Sequence, residues 1–215
     1  MRRELDLLVL LGAALVTTEG YSSAVAGATY ETAVRLSRGL EDHQIDVILS
    51  GLWVFHIVRG NLPKAREISQ EFLRRAEESG EPIRLQAGNF LMSSCLFHQG
   101  ELAPSLEYMK TAQRQETGRT ESVLALFAGP DLGVFCQAYL AQLAWHCAAE
   151  DAGSARAMEA IDVARQLRHP FSEAIALAYA ALLEVFRDDS AAALERGREA
   201  VALCRKHGFL YYLAI

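Results

Sequence analysis

Three glycines recur at a fixed interval, and this spacing constrains the fold more than any other feature of the sequence. Gly20, Gly60 and Gly100 are separated by 40 residues each (60 minus 20, and 100 minus 60). Each follows one apolar segment of helical length and precedes another. Glycine readily adopts the left-handed backbone conformation that a tight turn after a helix needs. The interval therefore predicts a repeated unit of helix, turn and helix.

Two further copies of this unit follow in degraded form. Their turns lie in the segments CAAEDAGSA (147–155) and FRDDSAAA (186–193), where the turn glycine is lost. Acidic residues take its place, at Glu150-Asp151 and at Asp188-Asp189-Ser190. Carboxylates and hydroxyls at a helix start accept hydrogen bonds from free backbone N–H groups. We therefore interpret these acidic pairs as helix caps rather than as catalytic dyads.

The ends of the second helices complete the division of the chain. Glycine and proline stop signals stand there, because glycine accepts left-handed dihedral angles and proline cannot continue a helix. These stops are Gly39, Gly80, Gly118, Pro170 and Gly208. No segment shows the alternation of a half-buried strand. The sequence thus predicts one all-α repeat domain over residues 1–215, with hairpins at about 3–41, 44–80, 83–117, 131–169 and 171–207 and the start of a sixth at 209–215.

Composition and charge exclude several classes of function. Abundant Ala, Leu, Glu and Arg, with only five prolines in 215 residues, favour helix over strand. The formal net charge of −6 and the lack of a Lys/Arg run argue against direct binding of nucleic acid. The longest apolar run, Leu7 to Val16, is about half of the ~20 residues that a membrane span needs. We therefore expect no direct nucleic-acid ligand and no membrane span.

The same apolar run leaves secretion open as an alternative. Arg2 and Arg3 precede it, and small residues follow it, as in a signal peptide. Against this reading, Glu4 and Asp6 lie within the charged region, and the repeat needs the segment as its first helix. We expect a cytoplasmic protein.

The cysteines and histidines that could carry chemistry are spread among the repeats. The cysteines form no CxxC pair and are expected to be small buried hydrophobic residues in a reducing compartment. They are Cys95, Cys136, Cys147 and Cys204. Three histidines, His43, His169 and His207, are expected at helix ends, where they cap carbonyls or face water. The other three, His56, His98 and His146, are expected in the core or in a groove along the first helices, which is described below.

No pattern of catalytic or metal-ligating residues emerges from these side chains. The sequence has no HExxH motif and no GxxxxGK[ST] loop to hold phosphates. Cys136 lies near a helix start, but no histidine base is placed beside it by sequence. We predict no catalytic residue, no metal and no cofactor.

One face of each first helix is expected to line a concave groove, as in other stacks of helical hairpins. Alignment of the turns places three sets of residues on or near that face. They are Val54, Ile57 and Val58 in hairpin two, Phe90, Ser94, Phe97 and His98 in hairpin three, and Ala138, Gln142, Trp145 and His146 in hairpin four. Tyr139 is expected in the core. Because Lys and Arg are nearly absent from the set, we predict that the groove receives an apolar helix or segment of a protein partner, or of a neighbouring domain of the same polypeptide.

The repeat resembles the tetratricopeptide repeat (TPR), lengthened from 34 to about 40 residues by longer second helices. The shared pattern is a glycine, a large apolar residue two positions later and a small residue five positions later, as in Gly60, Leu62 and Ala65. The segments ELDLLVLLGAAL, GLWVFHIVRGNLPKARE, AGPDLGVFCQAYLA and RHPFSEAIALAYAALL look like the TPR region of large bacterial signalling proteins. The resemblance covers nearly the whole chain and implies an all-α, right-handed superhelix of about five TPR-like hairpins.

In that family, an AAA-type or STAND-type ATPase domain precedes the repeats, and a class III adenylate/guanylate cyclase, a protein kinase or a LuxR-type DNA-binding domain often lies elsewhere. The resemblance implies that this chain is a non-catalytic interaction or regulatory module of such a protein. Two alternatives stay open. One is a free-standing cytosolic TPR adaptor that binds a peptide or helix, and the other is an enzyme with an unrecognised site near the 113–136 connection.

Two segments depart from the repeat. The apolar end GFLYYLAI begins a sixth hairpin, so we expect either that the polypeptide continues past Ile215 or that another subunit covers this end, as in a homo-oligomer. The connection from Gln113 to Pro130 breaks the period and closes with AGPDLGVFC, where Asp131 is predicted to cap the next helix. The related family has a similar GxDxGVxC run, with proline where this chain has Leu132.

Overall fold

The helical units appear in a computed structural model of the chain, which describes residues 2–37, 44–114, 131–147 and 150–215. The described residues form eleven helices and no strand, which confirms the predicted all-α class. In chain order the helices are α1 (Arg2–Glu19), α2 (Ala24–Leu36), α3 (Gln44–Val58), α4 (Leu62–Ser79), α5 (Pro82–His98), α6 (Leu102–Arg114), α7 (Leu132–His146), α8 (Glu150–Leu167), α9 (Pro170–Phe186), α10 (Ser190–His207) and α11 (Leu210–Ala214).

Consecutive helices pack as hairpins, and the hairpins stack side by side. The pairs α1–α2, α3–α4, α5–α6, α7–α8 and α9–α10 are each in contact, and α11 packs on α9 and α10. First helices also meet one another across the stack, since α1 contacts α3 and α7 contacts both α5 and α9. The first helices therefore form a common inner layer, on which the candidate site lies.

The repeated turns have the backbone conformation that their glycines favour. Gly20, Gly60 and Gly100 adopt φ angles of 89°, 70° and 79°, in the region that side chains with a Cβ rarely occupy. In the last hairpin the turn glycine is replaced by Asp188, which itself adopts φ 59°. Aspartate tolerates this conformation better than most residues, which explains how the degraded copy keeps its turn.

The helix ends carry most of the predicted caps. Asp131 Oδ1 accepts a hydrogen bond from Val134 N at 3.0 Å, and Asp189 Oδ1 accepts one from Ala192 N at 3.0 Å. Gly80 and Gly208 end α4 and α10 with positive φ, while Pro170 is the first residue of α9. Some predicted features lie outside the described residues. They are the stops Gly39 and Gly118, His43, most of the connection from Gln113 to Pro130, and the side chains of Glu150 and Asp151.

The prediction that every cysteine is buried was wrong at one position, and one histidine caps a helix start. His169 lies at a helix end, as predicted, where its Nδ1 accepts from Ser172 N at 3.3 Å and so caps the start of α9 rather than carbonyl groups. Cys147 is exposed, whereas Cys95, Cys136 and Cys204 are buried. Cys147 directly follows the last residue of α7, so it has left the face that packs against other helices.

Aromatic rings and one ion pair join the hairpins at the N-terminal end. Tyr30 of α2 is 3% exposed and lies between α1 and α3, where its ring occupies the space beside Gly12 and Gly51. Asp46 of α3 is buried, and Arg84 of α5 reaches it with Nε 2.7 Å from Oδ2. Among the described residues, no helix is long and apolar enough to span a membrane.

Candidate functional site

A cavity of about 180 Å³ lies on the inner layer of the stack. Its lining comes from the first helices of the hairpins, from α11 and from the first turn. The lining residues are Tyr21, Trp53, Val54, Ile57, Val58, Phe90, His98, Phe135, Tyr139, Tyr179, Tyr211 and Tyr212. We call this space the aromatic cavity. Within the part of the chain that the structure describes, no Lys, Arg, Asp or Glu lines this cavity.

Tyr139 is the centre of the polar contacts beside the cavity. Its hydroxyl accepts hydrogen bonds from Ser94 Oγ at 2.9 Å and Tyr179 Oη at 3.2 Å, and it lies 3.1 Å from His98 Nε2. Because two donors already point at the Tyr139 oxygen, its own proton is available for His98 Nε2. Burial raises the pKa of Tyr139, so the side chain is a neutral phenol at neutral pH.

His98 is kept in its neutral form, which suits its contact with the Tyr139 hydroxyl. Much of its ring reaches solvent, but the Nε2 side is buried against Tyr139, and this burial lowers the pKa of His98 from its usual 6.5. A neutral imidazole can accept the Tyr139 proton, whereas an imidazolium cannot. The group of hydroxyls and imidazole is therefore uncharged at neutral pH.

Stacked and edge-on rings hold the wall of the cavity. The Phe90 ring, which is fully buried, has its centroid 5.2 Å from that of Phe135 and 5.5 Å from that of Tyr139. At the opposite end of the cavity, Tyr21 from the first turn meets Tyr211 of α11 edge to face, with centroids 5.4 Å apart. The first and last parts of the chain thus meet across the inner layer.

The predicted groove residues fall into four places. Val54, Ile57, Val58, Phe90 and His98 all line the aromatic cavity. Ser94 and Gln142 are buried behind it, where Gln142 Nε2 donates to the Tyr179 carbonyl at 2.7 Å. Ala138 is also buried.

Phe97 and His146 belong to a second feature, a row of rings beside the cavity. The ring centroid of Phe97 lies 5.9 Å from that of His146, which lies 5.0 Å from that of Phe186. His146 and Phe186 are exposed, and Phe97 is partly buried. We call Phe97, His146 and Phe186 the aromatic row. It crosses three consecutive hairpins at the C-terminal ends of α5, α7 and α9.

Trp145 is not brought to the cavity. It packs against a separate group of buried residues between α7 and α8, and the Arg187 guanidinium lies 5.9 Å from its ring centroid. Trp145 follows Tyr139 by six positions, which turns it by about 240° around the helix axis. A side chain at that angle points away from the face that carries Tyr139.

The sequence reasoning missed most of the aromatic residues of the cavity. They are Tyr21, Trp53, Phe135, Tyr139, Tyr179, Tyr211 and Tyr212. One signal could have found two of them, because Tyr139 and Tyr179 are separated by 40 residues (179 minus 139), the interval of the turn glycines. Equivalent positions in neighbouring repeats face the same side of the stack.

The described residues contain no group of three or more His, Cys, Asp or Glu side chains placed to hold a metal ion. The buried thiol of Cys95 contacts one lining residue of the cavity, with its Sγ 3.1 Å from Trp53 Nε1. Burial raises the pKa of Cys95, which favours the unreactive thiol form.

The sequence matches no family model, and no curated protein matches it. Solved structures do resemble it. BtubC from P. vanneervenii is 15% identical with a TM-score of 0.62, over 96% of this chain and 83% of that one. A P. anserina protein described as a kinesin light chain with nearly identical TPR-like repeats is 12% identical with a TM-score of 0.59, over 97% of this chain and 99% of that one.

A third similar structure is a Signal Transduction ATPase with Numerous Domains (STAND) from Pyrococcus horikoshii, which has a tetratricopeptide repeat sensor. It is 12% identical with a TM-score of 0.58, over 94% of this chain and 30% of that one. At these identities the similarity concerns the fold alone. The chain folds as an all-α superhelix of TPR-like hairpins, as its repeat predicted.

Proposed function

We propose that the chain is a non-catalytic protein-interaction scaffold that binds an apolar helix or segment along the aromatic row. The observation that carries this proposal is the continuity of the row, because Phe97, His146 and Phe186 contact one another in turn across three hairpins. Such a surface offers several contacts to one extended partner. TPR-like repeat folds generally mediate contacts between proteins, which supports the same function.

The exposure and chemistry of the row support an apolar partner. Phe186 is 51% exposed and its neighbour Val185 is 63% exposed, so large apolar groups face solvent at the end of α9. Aromatic side chains dominate the binding energy of many protein interfaces. The uncharged cavity beside the row adds no cationic clamp for a terminal carboxylate.

We propose a bacterial signalling ATPase with a cyclase or transcription-regulator output as the setting of this scaffold. The structural similarity to the TPR sensor of a STAND protein supports this setting. The bound segment would then come from a neighbouring domain of the same polypeptide. A free-standing cytoplasmic adaptor is the alternative, and the four free thiols agree with a reducing compartment in either case.

A second copy of the chain is proposed as a further partner at the C-terminal end. Leu210 and Ile215 are 71% and 52% exposed there, while Tyr212 between them is buried. The third reading, an enzyme with a site near residues 113–136, falls mainly outside the described residues, and no observation favours it.

Site-specific photo-crosslinking in the source cell tests the scaffold function. Benzoylphenylalanine replaces Phe186 in the aromatic row, and in a matched control it replaces Leu7, which is 61% exposed on α1. We expect a discrete crosslinked product from position 186 that position 7 does not give. An identical set of products from both positions, or no product from position 186, would contradict the proposal.

A further inference from the structure

The aromatic cavity is walled by rings that belong to distant parts of the chain. Tyr21 comes from the first turn, Tyr139 and Tyr179 come from α7 and α9, and Tyr211 and Tyr212 come from α11. Neighbouring rings are close to perpendicular, with an interplanar angle of 84° between Tyr21 and Tyr211 and of 86° between Tyr211 and Tyr212. The rings therefore surround the space from several sides.

Tyr212 forms part of the buried wall of the cavity. It is 7% exposed, and it lines both the cavity and the depression beside it. Burial, together with the nearby phenols of Tyr21 and Tyr139, raises the pKa of Tyr212 well above its usual value. The phenol of Tyr212 is therefore neutral at neutral pH and adds no charge to the cavity.

The charges around the cavity narrow the class of ligand. No described Lys or Arg lines the space, and His98 is neutral at neutral pH, so no charged group of the described lining repels a cation or attracts an anion. The faces of Trp, Tyr and Phe rings attract cations electrostatically, most strongly where water is excluded. The described lining contains no carboxylate either, which disfavours a strongly hydrated ion such as sodium because no carboxylate oxygen there would replace its water.

We propose that the aromatic cavity binds a small organic cation with a methylated ammonium group. A volume of about 180 Å³ holds one such group, since a protein cavity of about 150 Å³ is enough for a molecule of the size of benzene. This site is separate from the aromatic row, and its function does not depend on the scaffold function.

A neighbouring depression shares part of its wall with the cavity. It has a volume of about 400 Å³ and shares Tyr21, Tyr211 and Tyr212 with the cavity. Glu19 and His207 line this depression, and no described Lys or Arg does so. The Glu19 carboxylate places negative charge on the side of the cavity where Tyr21 and Tyr211 lie, which favours the approach of a cation.

Calorimetric titration tests this inference with a matched pair of probes. The cation is choline chloride and the neutral control is 3,3-dimethylbutan-1-ol, which has the same shape but no charge, both at equal ionic strength. We expect choline to bind at least about fivefold more tightly than the alcohol, the factor that about 1 kcal/mol of cation–π attraction gives. Equal affinities, or no binding of choline, would overturn the proposal.

Variants of Tyr21 and Tyr211 separate the attraction of a cation to an aromatic ring from apolar contact with the side chain. Tyr211→Leu and Tyr21→Leu remove one ring each, and we expect each to weaken choline binding about fivefold while changing the affinity of the alcohol little. Tyr211→Phe keeps the ring and should bind choline as the unmodified chain does. Tyr108→Leu, on α6 outside the cavity lining, is the control for a general loss of aromatic surface.

These variants keep the test decisive. Tyr211 is 40% exposed, so its loss leaves the core intact, and circular dichroism and the melting temperature check the fold of each variant. If Tyr211→Leu and Tyr108→Leu bind choline equally well, the cavity is not the site. A trimethyl-lysine peptide is titrated in parallel with choline, to distinguish a cation on a partner's side chain from a free small molecule. We expect choline, the free small molecule, to bind more tightly than the peptide.

Discussion

Alanine should have opposite effects at two helical glycines, Gly51 of α3 and Gly197 of α10. A Cβ at Gly51 would lie 2.4 Å from Tyr30 Cζ, well inside contact distance. The Tyr30 ring has no free space on its other side, because a Cβ at Gly12 would lie 2.6 Å from the same atom. At Gly197, by contrast, an added Cβ has no heavy atom within 4 Å.

The expected changes in the free energy of unfolding are the sum of two contributions, helix propensity and overpacking. Replacing glycine by alanine inside a helix stabilises it by about 1 kcal/mol, and this term is common to both positions. Overpacking a filled core costs about 1–3 kcal/mol, and only Gly51→Ala incurs this cost. We therefore expect Gly197→Ala to raise the free energy of unfolding by about 1 kcal/mol, and Gly51→Ala to lie below it by about 1–3 kcal/mol.

Urea denaturation followed by circular dichroism measures both free energies. The comparison requires equal m-values, since a changed m-value would report a different denatured or native ensemble. If Gly51→Ala proves as stable as Gly197→Ala, Tyr30 is not confined between the first three helices and the reasoning on this core contact is refuted.

Three further predictions concern an ion pair, a thiol and an imidazole. Asp46→Ala removes the buried carboxylate that faces the partly buried guanidinium groups of Arg84 and Arg75, and urea denaturation should show a loss in the free energy of unfolding of up to about 3 kcal/mol, the lower end of the range for buried pairs; a loss below about 1 kcal/mol would mean that the pair is solvated. Cys147 is the exposed thiol among four, so Ellman's reagent should titrate one thiol rapidly in the folded chain and the rest only on unfolding. Burial lowers the pKa of His98, so the unfolded chain takes up a proton that the folded chain does not, and the free energy of unfolding should fall as the pH drops from about 7.5 to 5.5. His98→Gln should lessen that fall, and an unchanged pH dependence would show that His98 does not contribute.

The sequence predicted the features that depend on local chemistry. Turn glycines and the cap at Asp131 could be predicted because backbone dihedral angles and free N–H groups make demands on single residues. The 40-residue interval of Gly20, Gly60 and Gly100 extended these local signals to the stacking of hairpins. For the same reason, five of the predicted groove residues do line the cavity.

The remaining features depend on angles and on contacts between distant residues. Trp145 was placed in the groove by its distance from the turn, but its angle around α7 directs it to the other side. Tyr21 and Tyr211 meet only because the stack brings its first turn to its last helix, and a repeat interval contains no information about that meeting. Tyr139 was predicted in the core, and it is only 3% exposed. It also lines the cavity, and its hydroxyl accepts a hydrogen bond from Ser94 there.

The affinity of the chain for the segment crosslinked at Phe186 tests the central claim most directly. Calorimetry would compare the unmodified chain, the double variant His146→Ala/Phe186→Ala and the control Leu7→Ala, each checked for its fold. Removing two exposed rings from one interface should weaken binding about tenfold or more, and Leu7→Ala should bind as the unmodified chain does. Equal affinities for the double variant and the control would contradict the claim that the aromatic row is the protein-binding surface.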